Sequence, residues 1–315
     1  MIANGQLLTR TTDAPEGKNT MSLAGAFMKE ELESQPLMWE QALGLDTAVL
    51  PQPGLKVAAI GCGTSWFMAQ AYAALRENAG QGITDAFTAT EVPTGRDFDE
   101  YLIICRSGTT TEIVDFMKGV KGTKPITVLV GVPDSPVAEL ADRVVDLSFA
   151  DEKSVVQTRF ATTALMFLRS SIDSEEVCRA AIEDCRAVLS EPLAPELINA
   201  EQYSFLGTGW TAALATEAAL KMRESSQKWT ESYNSMEYRH GPISIAAPGR
   251  VTWQFGVAPE GLREQVEATG AYFEDRDLDP LADLARQHRV ALETALANGL
   301  NPDEPRNLTR SVILN

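Results

Sequence analysis

Histidine is almost missing from this chain, with His240 and His288 the only two in 315 residues. Imidazole chemistry therefore has two candidates. Cysteine is nearly as scarce. Cys62, Cys105, Cys178 and Cys185 show neither CxxC spacing nor a histidine-rich neighbourhood. That argues against a zinc site or a disulfide framework and fits a reducing cytoplasm. Basic residues are also outnumbered: 27 Lys and Arg stand against 44 Asp and Glu, a formal net charge of -17. Nucleic-acid backbones and anionic membrane surfaces would be repelled. No apolar run approaches the ~18 residues of a membrane span. The first twenty residues lack the apolar stretch of a signal peptide. A small phosphate ligand survives all these exclusions, because local N–H and hydroxyl groups at a helix N-terminus can hold one.

What is present is an ordinary globular composition, 44% hydrophobic and 23% charged, long enough for one or two domains. Residues 1–20 read as a loose tail. Residues 21–44 read as an amphipathic helix with Leu23, Phe27, Leu32, Leu37 and Leu43 as apolar contacts, broken or kinked at Pro36. Apolar strands then alternate with helices: 55–60, 101–105, 126–130 and 144–147, with helices over 66–78, 113–119 and near 136–141. This alternation predicts a parallel sheet with helices on both faces, an α/β three-layer fold. A largely helical stretch over 158–189 leads to a boundary marked by Pro192 and Pro195. The pattern then restarts with a strand over 202–206, an Ala/Leu helix ending near Glu224, a strand over 251–257 and a helix over 281–299. Gly61-Cys-Gly and Gly207-Thr-Gly each open a strand–GxG–helix element whose helix closes on Arg-Glu. We read two repeated units, 21–190 and 191–315.

Three motifs carry candidate chemistry. In Gly61-Cys-Gly-Thr-Ser65 a strand turns into a helix, with glycine for close backbone approach and hydroxyls beside free N–H groups. A plain βα turn with an N-cap has the same composition. GxGxxG is incomplete because Trp66 replaces its third glycine, which disfavours a dinucleotide. Arg106-Ser-Gly-Thr-Thr-Thr-Glu112 adds a second loop rich in donors suited to a phosphate dianion. Two such loops at neighbouring strand ends mark where open α/β sheets bind ligands. Third, Glu224 and His240 pair a carboxylate with an imidazole, the groups that move protons beside a carbonyl. Cys62 and Cys105 flank both loops and read as packing residues, since no local base activates them.

Taken in order, Phe27-Met-Lys-Glu-Glu-Leu-Glu-Ser-Gln-Pro36, Gly61–Ser65, Ser107-Gly-Thr-Thr110, Glu217-Ala-Ala-Leu-Lys-Met-Arg-Glu224, Glu237-Tyr-Arg-His-Gly-Pro242 and Pro305-Arg-Asn-Leu-Thr-Arg-Ser-Val312 resemble a known pattern. The chain looks like a tandem sugar isomerase (SIS) protein, and in particular the isomerase half of glucosamine-6-phosphate synthase and the stand-alone amino-sugar phosphate deaminases. The resemblance implies two flavodoxin-like domains and a sugar 6-phosphate bound near Cys62, Gly63, Thr64, Ser65, Cys105, Arg106, Ser107, Thr109 and Thr110. Val155, Lys221 and Arg310 would complete that site. It implies that Glu224 moves the proton between C1 and C2. His240 would open the sugar ring from the partner subunit of a homodimer, with no cofactor or metal. Two departures shape the expected reaction. No glutaminase domain with a leading cysteine precedes the isomerase motifs, so glutamine is not the expected nitrogen donor. The family's Schiff-base lysine falls on Arg310, which stays protonated and cannot attack a carbonyl. Arg106 replaces a usual glutamine, and a charge-assisted phosphate contact is expected of it. The expected activity is isomerisation with deamination of an amino-sugar 6-phosphate. Aldose–ketose isomerisation, a fructosamine-6-phosphate deglycase and a non-catalytic sugar-phosphate sensor are the alternatives.

Overall fold

A computed structural model describes residues 23–93 and 95–314; the expected tail over 1–20 lies outside them. Two parallel sheets organise the chain. The first comprises β1 (Val57–Gly61), β2 (Thr84–Thr88), β3 (Glu100–Cys105), β4 (Ile126–Val130) and β5 (Arg143–Asp146), in the order β2-β1-β3-β4-β5. The second comprises β6 (Gln202–Gly207), β7 (Trp229–Asn234), β8 (Arg250–Gln254) and β9 (Tyr272–Asp275), in the order β7-β6-β8-β9. Both orders reverse direction beside their first strand, a flavodoxin-like winding that opens a crevice between β1 and β3. The central strands β1 and β4 are buried throughout, as a sheet covered on both faces requires.

Around these sheets run α1 (Ala26–Leu43), α2 (Thr64–Asn78), α3 (Thr111–Val120), α4 (Pro136–Leu140), α5 (Arg159–Arg169), α6 (Glu175–Val188), α7 (Pro195–Asn199), α8 (Trp210–Ser226), α9 (Leu262–Glu267) and α10 (Pro280–Ala297). The expected α/β fold of two parallel-sheet units is what forms. Local differences have simple causes. α1 runs through Pro36 to Leu43, and its buried face is Met28, Leu32, Pro36, Met38, Trp39 and Ala42. Leu23 and Leu37, expected as contacts, are exposed. The helical stretch over 158–189 divides into α5 and α6, because Ser174 accepts from the Val177 N–H and starts a new helix.

The repeat is visible in backbone angles. Gly63 has φ 56°, ψ -127° and Gly209 has φ 60°, ψ -126°, a conformation open to glycine alone. Gly61 and Gly207 precede them where a Cβ would collide with the backbone of the first helical turn. Each helix then closes on an arginine bonded to a threonine of the next strand. Arg76 Nη1 donates to Thr84 Oγ1 at 2.7 Å and Arg223 Nη1 to Thr230 Oγ1 at 2.8 Å.

The two units share one apolar core. α2 packs on α8, with Phe67, Met68, Ala71 and Tyr72 in the same cluster as Ala215, Ala218, Ala219 and Met222. Alanines let the helices approach closely, and that contact brings the C-terminal half of α8 toward the start of α2. The segment 301–314, expected with the second unit, returns to the first. Asp303 accepts from the Phe27 and Met28 N–H groups at 3.0 and 2.8 Å, capping α1 from across the chain. Thr111 N–H donates to Val312 O at 3.2 Å.

Candidate active site

Between the β1 and β3 ends, one cleft gathers most of the residues expected from sequence. Cys62, Gly63, Thr64 and Ser65 come from the first loop, and Cys105, Arg106, Ser107 and Thr110 from the second. Lys221 and Glu224 enter from α8, Val155 from the loop before α5, and Arg310 from the returning segment. Thr109 does not line it; its hydroxyl meets Ser311 Oγ at 2.9 Å. His240 sits on an exposed 3-10 turn of the second unit and does not line the cleft of its own chain.

The hydroxyl loop is a nest of donors. Ser107 Oγ donates to Ser311 Oγ at 3.1 Å and accepts from the Thr109 N–H at 3.3 Å. The same hydroxyl lies 3.5 Å from Thr110 Oγ1. Ser311 therefore bridges the hydroxyls of Ser107 and Thr109. Arg106 lines the cleft, and its guanidinium is bonded to protein carbonyls. Its guanidinium is 4% exposed and donates to the carbonyls of Ser154, Val155 and Arg310 at 3.3, 3.4 and 2.9 Å. Glu152 Oε2 stands 3.6 Å from Nη1. Arg106 is thus a clamp joining the hydroxyl loop, the 154–155 loop and the 301–314 segment. Arg310 pairs with Asp151 and donates to Glu152 O at 3.1 Å.

Across the cleft from the hydroxyl loop lies Glu224. Its side chain is 19% exposed and bonded to the Lys221 ammonium, which is itself buried. Burial opposes the Lys221 charge, but Glu217 and Glu224 outweigh it and hold the amine above its ordinary pKa. Lys221 therefore remains a cation and not a nucleophile. Burial, reinforced by Glu112 and Cys105, pushes the Cys62 thiol up to about 11, in keeping with a packing role. Sequence reasoning missed Glu112, Gln157 and Ser311 in the lining, and the buried Glu217 and His288 behind it. Glu217, Lys221 and Glu224 are spaced i, i+4, i+7, one helix face, so Glu217 was within reach of the pattern. Gln157 lies in an irregular loop with no such period. Among the described residues no His/Cys/Asp/Glu group could hold a metal, and no helix is long and apolar enough to cross a membrane.

No protein-family model matches the chain. In sequence it is 28% identical over 282 residues to the glutamine–fructose-6-phosphate aminotransferase (isomerizing) of Bradyrhizobium diazoefficiens, covering 73% of this chain and 46% of that protein. The chain thus spans about half the length of the curated relatives it matches. A glucosamine-6-phosphate deaminase from Thermotoga maritima has the same fold, with TM-score 0.78 at 21% identity over 90% of this chain and 99% of that one. A tagatose-6-phosphate ketose/aldose isomerase from Escherichia coli follows at 0.71 and 19%, covering 92% and 96%. By fold and by sequence similarity, the chain resembles the isomerase half of those aminotransferases.

Proposed function

We propose that this protein is a phosphosugar isomerase that deaminates an amino-sugar 6-phosphate resembling glucosamine 6-phosphate. The observation that carries this reading is the meeting of Glu224 with the hydroxyl nest in one cleft. Phosphate at Ser65, Ser107 and Thr110 would be held by hydroxyls and by N–H groups at the starts of α2 and α3. The sugar chain would then extend toward Glu224. Glu224 takes the proton from C2 of the open-chain aldehyde and returns it at C1. The C2 amine becomes an imine, and water converts it to the ketose phosphate and ammonia. Among the described residues Lys221 is the single lysine lining the cleft, and its ammonium is bonded to Glu224 with Glu217 3.7 Å away. An amino-sugar substrate carries its own nitrogen, and the scheme needs no enzyme amine. His240, exposed on its turn, is assigned to ring opening in the cleft of a partner subunit in a homodimer.

The test is incubation with glucosamine 6-phosphate and assay of ammonia and fructose 6-phosphate. Equal amounts of both are expected, with at least about 10²-fold loss in Glu224→Gln and loss in His240→Ala. Aldose–ketose interconversion without ammonia would leave a plain isomerase. Thermal stabilisation by the ligand without product would leave a sugar-phosphate-binding regulator.

A further inference from the structure

Beneath Glu224 the cleft continues into a row of ionisable groups closed to solvent. Glu224, Lys221 and Glu217 follow one another along a face of α8, and His288 on α10 ends the row. Lys221, Glu217 and His288 are each 0% exposed. Glu217 Oε1 lies 3.7 Å from Lys221 Nζ and 3.7 Å from His288 Nε2. No hydrogen bond of regular geometry reaches either Glu217 oxygen or either His288 ring nitrogen. Unpartnered polar atoms are costly at this depth. A proton shared between Glu217 Oε1 and His288 Nε2 gives one atom of each side chain a partner.

The ionisation states agree. Burial pushes the Glu217 carboxyl up to about 8, with Glu224 adding to the rise and Lys221 and the Thr64 hydroxyl opposing it. Burial and the Lys221 charge hold His288 well below its ordinary value. At neutral pH a neutral acid therefore faces a neutral base. The groups around the pair are Lys221 and Glu224 of α8 and Thr64 of α2, with Glu152 acting on Lys221 from the loop before α5.

We propose that His288 is a positioning residue for the proton transfer assigned to Glu224, an inference resting on that assignment. Its neutral imidazole accepts the hydrogen bond of a protonated Glu217, so the Lys221 ammonium is left to Glu224 alone. Without that acceptor the protonated Glu217 is no longer held toward α10, and its carbonyl oxygen competes with Glu224 for the Lys221 ammonium. His288 itself touches no substrate.

His288→Leu removes the acceptor, and His288→Gln restores one through its amide oxygen. In His288→Leu the acid limb of kcat/KM against pH moves up by about half a unit, roughly a threefold loss on that limb. KM on the plateau stays unchanged, and His288→Gln returns the profile. An unchanged profile, or a uniform loss at every pH together with a lowered Tm, overturns the proposal. A second readout needs no turnover. The imidazole ¹⁵N signal of His288, identified as the one lost in His288→Gln, stays that of a neutral ring and steps near pH ~8 as Glu217 ionises. The step vanishes in Glu217→Gln. A flat signal, or protonation of the ring near its ordinary pKa, overturns the pairing. A step observed while no phosphosugar is turned over defeats the functional assignment instead and leaves the buried pair standing.

Discussion

Glu77 and Glu224 both follow the arginine that closes their helix, yet only one reaches the cleft. Glu77 Oε1 accepts from the Thr84 N–H at 2.7 Å and serves the sheet. α8 has one residue more than α2 between its glycine turn and its Arg-Glu pair, which rotates the pair by about 100° relative to that turn. Glu224 meets Lys221 instead. Such an offset is readable in sequence once the repeat is recognised. The role of Arg106 was not readable, because its partners are carbonyls 48, 49 and 204 residues away. Arg106→Lys should therefore act mainly on stability. An ammonium cannot span three carbonyls as a planar guanidinium does. A loss of about 1–3 kcal/mol in denaturant unfolding is expected, with phosphate-sugar binding reduced only as the 154–155 loop loosens. A large loss of affinity at unchanged stability would return Arg106 to direct phosphate contact.

At the scale of elements, the central strands were legible and three strands of the sheet edges were not. β1, β3 and β4 announce themselves by mostly apolar runs, since both their faces are covered, and β6 and β8 by apolar residues set among a few polar ones. β2 (Thr-Asp-Ala-Phe-Thr), β7 (Trp-Thr-Glu-Ser-Tyr-Asn) and β9 (Tyr-Phe-Glu-Asp) each stand at a sheet edge. One flank of each faces away from the sheet, and polar residues erase the pattern. The glycine turns were legible as loops, but not the distinct duties of their two glycines. Gly61 has no room for a Cβ, whereas Gly63 has room but a left-handed φ. Gly63→Ala should cost about 1–3 kcal/mol from backbone strain alone. Gly61→Ala should cost more, because the first turn of α2 must move, and it should also weaken sugar-phosphate binding. Equal losses by urea denaturation would refute this division of labour.

The whole molecule carries an unusual set of buried carboxyls. Burial pushes Glu31 to about 7, with Glu152 adding to it. Burial likewise pushes Asp283 to about 7 and Glu217 to about 8. Each holds its proton more tightly folded than unfolded, so each contributes stability that is full below its unfolded pKa and lost as pH rises through the folded one. Tm should therefore fall between about pH 5 and pH 8. The net charge of -17 pushes the same way. Glu217→Gln separates the two causes, since it should flatten the slope while changing the net charge by only one unit. A Tm that rises over this range would contradict the burial seen at all three sites. Composition foretold the acidity, but not which carboxylates lie inside. That depends on helices meeting across units, as α8 does with α2 and α10.

The return of residues 301–314 to the first unit has a consequence for biosynthesis. During translation the first sheet, both glycine turns and the hydroxyl loop leave the ribosome long before Asp303, Arg310 and Ser311 exist. The nascent first unit is thus left with an uncapped α1 and an Arg106 clamp missing its Arg310 carbonyl. Domains tend to fold in the order of their synthesis, yet here the first sheet's unit is finished by residues made after the second sheet. A premature stop after α10 would spare both sheets and still leave the cleft without its closing wall.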